Sequence, residues 1–255
     1  MKALLSIIRY GIRQSWESAS YKYTIFVQPV LFSLLFFLIS KSSGRDLPII
    51  SIVLKSGTIS LWSSVCFSSM CDLQRERETR TIASLLGTPT SLFKVIIGKV
   101  IPNTIVGLVS FLISTLTLAI LSGNIGLDCS YTKLIVCIPI LLLAYIVTAL
   151  AIIPVFFIFD NTRLLINCIE YPIFIITGMA FPTSCLPIFL QRIGQLLPLT
   201  WGIKIVNIVL IDGYQYVLQK DLITYSIITL LYIIVAVLLF VEVERQIRIK
   251  ARIRI

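Results

Sequence analysis

The sequence predicts an all-α, polytopic membrane protein of six transmembrane helices with both termini in the cytoplasm. Three observations carry that prediction. Of 255 residues, 57% are hydrophobic and only 13% charged, where a soluble domain is about a quarter charged. Six apolar runs, Tyr23–Ser40, Ile49–Met70, Ile101–Leu121, Leu134–Phe159, Leu164–Phe181 and Leu222–Val241, are each near the roughly 20 residues that a membrane helix needs. Of 22 Lys and Arg, fifteen fall on the side of the termini, six on the other side, and Lys55 inside a run. That imbalance sets the orientation by the positive-inside rule. The runs leave no room for a sizeable soluble domain, so 1–255 reads as one membrane domain.

Ahead of the first run, Leu4, Leu5, Ile8, Ile12 and Trp16 recur at helical spacing, with Lys2, Ser6, Arg9, Arg13 and Glu17 opposite. A basic amphipathic helix next to a span fits the membrane interface, and a cytoplasmic helix packed on protein is the alternative. No small-residue cleavage site follows an early apolar core, so the segment does not read as a signal peptide.

The second run is rich in serine and carries Lys55. Small hydroxyl residues let helices approach and bond one another, so this run is expected to face other helices. Lys55, near its outer end, fits snorkelling to the headgroups better than a substrate-binding role.

The connection Cys71–Val100 opens Asp72-Leu73-Gln74-Arg75-Glu76-Arg77-Glu78-Thr79-Arg80, with Glu76 and Arg80 at a helix-supporting i,i+4 spacing. Thr81-Ile82-Ala83-Ser84-Leu85-Leu86 then reads as a short helix with an apolar side, which Gly87 and Pro89 are expected to stop. Ser91 can cap the next helix, in which Phe93, Ile96 and Ile97 are expected to face lipid and Lys94 water. A short exposed helix flanked by mixed charge suits docking of a cytoplasmic partner, and a solvated linker is the alternative.

Between the fifth and sixth runs, Pro182, Pro187 and Pro198 break any continuous span, while Leu186–Ile193 and Leu196–Ile205 are apolar or amphipathic. These fit short helices that dip back into the outer leaflet, or else a loop resting on headgroups.

Composition closes several functional classes. The net charge of +10 sits between apolar runs and at the chain ends, which favours anionic lipid over nucleic acid. Six cysteines occur without a CxxC pair and without any histidine, so a zinc site and His-dependent nucleophilic chemistry are both missing their parts. Cys129 and Cys185 are the one pair placed on the outer face, and a disulfide between them stays open. The 44 isoleucines hint at an A+T-rich bacterial or organellar genome. Asp160, Glu170, Glu242 and Glu244 are placed at cytoplasmic ends, with Asp160 and Arg163 as a pair. No span centre is then expected to hold the carboxylate that an ion-coupled carrier usually needs.

Two stretches resemble a known family. Glu76-Arg77-Glu78, Thr81-Ile82, Leu85-Leu86, Thr88-Pro89 and Gly98-Lys99 are similar to the connection that marks type-2 ATP-binding-cassette (ABC) exporter permeases. Gly178, Phe181-Pro182, Leu186-Pro187 and Leu197-Pro198-Leu199-Thr200 resemble the same family's external stretch. The resemblance covers nearly the whole chain, in the right order and loops. It departs at Arg80, where the family usually has Gly, and at Ala83, where it has an acidic residue.

The resemblance implies a permease subunit that exports an amphipathic or hydrophobic substrate (drug, peptide, glycan or lipid-like). It implies pairing as a homodimer, or as a heterodimer with a related permease. Glu76, Glu78, Thr81, Ile82, Leu85, Leu86 and Pro89 would form the coupling contact with a separate cytoplasmic ATPase. Gly178, Phe181, Pro182, Leu186, Pro187 and Pro198 would belong to the translocation path and outer gate, with Phe181, Met179 and the faces of the second and fifth spans as candidate lining. The chain is expected to be no enzyme and to lack an ATPase site of its own, since its one Gly-Lys, Gly98-Lys99, has Phe93 where a nucleotide loop needs Gly, and no cofactor is expected in it. ATP belongs to the partner. The membrane is the bacterial cytoplasmic one, or a plastid membrane of bacterial descent. The rival reading is an ion-coupled secondary transporter or channel.

Overall fold

The computed structural model describes residues 19–42, 48–78, 92–123, 131–156, 162–212, 217 and 219–253, and every regular element among them is a helix. Helix α1 runs over 19–42 as Ala19–Lys22, a π-helical stretch at Tyr23–Val27, and Gln28–Ser42. Helix α2 runs over 49–78 in the same manner, with Ile49–Trp62, a π-helical stretch at Ser63–Phe67, and Ser68–Glu78. There follow α3 at Leu92–Ser122, α4 at Tyr131–Phe156, α5 at Thr162–Ile176 and α6 at Ile188–Gln195. Helix α7 is Pro198–Asn207, extended by a π-helical stretch at Ile208–Asp212, and α8 is Gln219–Ile253. The N-terminal amphipathic stretch through Glu17 lies outside the described residues, as does the expected short helix Thr81–Leu86.

Among the described residues, five segments are long and apolar enough to cross a membrane: Tyr23–Ser42, Ile49–Asp72, Phe93–Ser122, Val136–Phe156 and Gln219–Gln246. Helices α6 and α7 add a sixth only if the pair, bent by 96°, is taken as one span. The fifth expected run differs most from its sequence reading. Its helix is 15 residues, about 22 Å at 1.5 Å per residue, well short of the roughly 30 Å of hydrocarbon.

Prolines stand inside α3, α4 and α5 (Pro102, Pro139, Pro154 and Pro172), as membrane helices tolerate more readily than soluble ones. Where proline instead stands at a helix start, its missing N–H costs nothing. Pro187 immediately precedes α6 and Pro198 opens α7.

Helix α2 is the centre of the bundle. Its apolar window is 78% buried, against 28% for α1 and α3 and 22% for α8, so it faces protein where the others leave most of their surface exposed. It packs on α1 and α3, while α4 packs on α7 and α8. Ile105, Val109, Leu112, Leu116 and Ile120 form one exposed stripe along α3, as a lipid-facing side should. Phe93 and Ile96 depart from expectation. Ile96 is buried, and the Phe93 ring meets Phe240 of α8 at 5.2 Å, because α3 begins at Leu92 and packs on protein from its first turn. Lys94 is exposed, as expected.

Candidate translocation site

The serines of α2 build a polar seam. Ser114 of α3 lies between Ser33 of α1 and Ser56 of α2, with hydroxyl oxygens 2.9 and 2.7 Å apart. Ser64 and Ser110 pair at 3.0 Å. At the Asp72 end, the Asn103 amide donates to Ser69 Oγ and Asp72 Oδ2 at 3.0 and 3.3 Å, and the Tyr21 hydroxyl donates to Asn103 Oδ1 at 3.3 Å. Burial, and then the charge of Asp72, push the Tyr21 phenol far above its ordinary range, so it remains a donor. Glycine completes the fit, since a Cβ on Gly107 would stand 3.3 Å from Ser64 Cβ. Small residues and interhelical hydrogen bonds are what hold helices together in lipid, where no hydrophobic force does so.

In the middle of α2, the Ser63 hydroxyl donates to Glu170 Oε1 of α5 at 2.6 Å, and Gln28 Nε2 of α1 donates to Ser63 Oγ at 2.8 Å. This corrects the placement of Glu170 at a helix end. It sits at mid-helix in α5 and is buried. The sequence pattern missed it because its partner is 107 positions away. Asp160 lies outside the described residues.

Beyond α5 the chain turns sharply. Gly178 has φ of 83°, a conformation that costs glycine nothing and other residues strain. It lets the Ala180 N–H fold back onto the Phe174 carbonyl at 3.2 Å. Helices α6 and α7 are then locked to each other by the Thr200 hydroxyl donating to Gly194 O at 2.6 Å and Trp201 Nε1 donating to Gln195 O at 2.8 Å.

Two cavities open at this end of the bundle. One, of about 360 Å³, has Thr177, Thr200, Trp201 and Lys204 among its lining residues. The other, of about 330 Å³, lies between α2 and α7, with Lys55, Thr58, Met179 and Val206 in its wall. Gly178, Pro182, Ile203 and Asn207 line both, so the cavities adjoin.

Of the residues that the resemblance put in the translocation path, Gly178 and Pro182 meet at these cavities. Met179, the candidate lining residue, joins them in the second. Phe181 is half exposed and lies in neither wall. Pro187 and Pro198 set the starts of α6 and α7, and the Leu186 carbonyl accepts from Gln191 Nε2 at 2.7 Å. Glu76 and Glu78 lie on the last turn of α2, while Thr81, Ile82, Leu85, Leu86 and Pro89 lie outside the described residues. Cys185 is exposed and forms no disulfide among the described residues, and Cys129 lies outside them. Sequence reasoning missed the joining of Lys55 to Asn207 and the whole Ser63–Glu170 contact.

The family model of the ABC-2 type transporter matches residues 2–211, which include both signature stretches and both cavities. The chain belongs to the ABC-2 type transporter family. No curated protein matches it at a significant level. As an ABC transporter permease it is an integral, multi-pass membrane protein, and members of this family normally work with an ATPase subunit. Among the described residues of this permease, no group of His, Cys, Asp and Glu could hold a metal ion.

Proposed function

We propose that the chain is the membrane half of an ATP-driven exporter for an amphipathic or hydrophobic substrate, driven by a separate ATPase subunit. The observation that carries this reading is the family match across residues 2–211. The geometry of α2 supports it. Its 14-, 5- and 11-residue pieces make a helix of about 45 Å, longer than the roughly 30 Å of hydrocarbon. The helix therefore runs out of the bilayer and delivers Glu76 and Glu78 to the head of the connection that holds Thr81–Leu86. In this reading that short helix lies in the cytoplasm, where the ATPase grips it, and two permease chains pair around the path. The bend between α6 and α7, with the turn at Gly178, supplies the re-entrant outer gate. The bilayer is bacterial, or that of a plastid.

The test is reconstitution of the chain in liposomes with its co-purifying nucleotidase. ATP-dependent flux that vanishes when either component is left out supports the reading, and flux by this chain alone sinks it. The rival reading, an ion-coupled carrier or channel, gains one specific observation in Glu170, because a carboxylate buried among the helices of a membrane protein is the kind of group such carriers use. A proton gradient driving flux without ATP would favour that rival.

A further inference from the structure

We infer that the cavity of about 330 Å³ between α2 and α7 is a binding site for an oxyanion carried by an amphiphile, with Lys55 as its cationic anchor. Two lysines reach the adjoining cavities, and they differ in electrostatic state. The Lys204 ammonium lies 3.0 Å from Asp221 Oδ1 and 5.1 Å over the Trp201 ring, so its charge is already met. Lys55 is half-buried and makes no ion pair among the described residues. A cation inside a membrane helix is costly unless it reaches water or an anion. Snorkelling alone needs no hollow, yet the wall around Lys55 is a hollow in which Ser51 and Asn207 supply further polar groups.

The other part of the wall is apolar, with Leu54, Met179 and Val206. One unmatched cation, a few neutral hydrogen-bonding groups and an apolar side fit an anionic headgroup with its first carbons. The volume is near the lower end of small-molecule sites, about 300–1,000 Å³. It therefore takes a headgroup and leaves the acyl chains in the bilayer. Phosphate or carboxylate supplies the same chemistry, and either could also arrive as a free ion.

This inference does not rest on the transport reading, because binding is measured with no ATPase present. The purified full chain in phosphatidylcholine nanodiscs is titrated with a fluorescent phosphatidylglycerol. Saturable binding is expected, displaced by unlabelled phosphatidylglycerol and not by added phosphatidylcholine or inorganic phosphate. Lys55→Gln should weaken it about tenfold, the loss of one charge-assisted contact. Lys55→Arg should bind as wild type does, and so should Lys41→Gln, which alters an exposed lysine. Equal binding by wild type and Lys55→Gln overturns the site. Displacement by inorganic phosphate at the same charge assigns it to free ions and overturns the amphiphile. Should Lys55→Gln fail to fold, the wild-type competition decides, and equal displacement by phosphatidylcholine overturns the inference.

Discussion

Ser63 Oγ lies 2.6 Å from Glu170 Oε1, so one short hydrogen bond joins the π-helical stretch of α2 to the middle of α5. A π-helical stretch is a local irregularity often found at functional sites. This one presents Ser63 to two helices at once, since Gln28 also donates to it at 2.8 Å.

Removing the carboxylate should therefore be felt in stability. Glu170→Ala leaves the Ser63 hydroxyl without its acceptor in a buried place, at a cost of about 1–3 kcal/mol. Glu170→Gln keeps an oxygen acceptor and should cost less. Thermal unfolding in detergent ranks the two. Glu170→Gln should also leave ATP-driven flux nearly intact, whereas a proton-coupled carrier would lose its gradient-driven flux.

Two glycines at close approaches, Gly57 and Gly194, should differ in tolerance. A Cβ on Gly57 would stand 2.5 Å from Phe111 Cε2, and one on Gly194 would stand 2.5 Å from the Ile176 carbonyl oxygen. A phenyl ring can turn aside, but a helix-end carbonyl moves only with its backbone. Overpacking costs about 1–3 kcal/mol, and Gly194→Ala should fall at the upper end with Gly57→Ala below it. Paired melting curves of the two variants check the order, and a reversed order would refute the close approach of Gly194 to the Ile176 carbonyl.

What could be read from the sequence follows from the range over which each signal acts. Apolar runs are local, so the helices of Tyr23–Ser42, Ile49–Asp72 and Gln219–Gln246 lie close to their expected places. The serines of α2 were legible as a helix-facing side because small residues have that meaning in lipid. The run Leu164–Phe181 misled because hydropathy records composition, and residues 177–181 remain largely apolar past the point where Gly178 turns the backbone. Glu170 resembled an end residue for the same reason. Its burial, and the hollow that joins Lys55 to Asn207, depend on contacts between distant segments that no local pattern encodes.

The Lys204–Asp221 pair should respond unequally to loss of its two members. Asp221 is 4% exposed, whereas the Lys204 side chain is about half exposed. Lys204→Ala strands a buried carboxylate, while Asp221→Asn leaves an ammonium that can still reach water. Allowing for that exposure, the first should cost on the order of 1–2 kcal/mol and the second less than about 1. Chemical or thermal unfolding of the single and double variants measures the difference. Equal losses would mean that the pair contributes only as a surface contact.

The coupling reading makes the sharpest demand of Leu85. Ile82, Leu85 and Leu86 give the short stretch after α2 its apolar side, and a few fully desolvated residues at the centre of an interface usually carry most of its affinity. Leu85→Arg places a charge there without a designed partner, which should cost at least about 2 kcal/mol of ATPase binding, or some thirtyfold in affinity. The substitution falls between the apolar segments Ile49–Asp72 and Phe93–Ser122, so insertion into the membrane should be unchanged. Pull-down of the ATPase from detergent extracts, run beside ATP-driven flux and the amount of permease in the membrane fraction, separates these effects. Loss of capture and flux with normal insertion is the expected result. A Leu85→Arg permease that still held its ATPase and exported at the wild-type rate would remove this stretch from the coupling contact and send the search for it elsewhere on the chain.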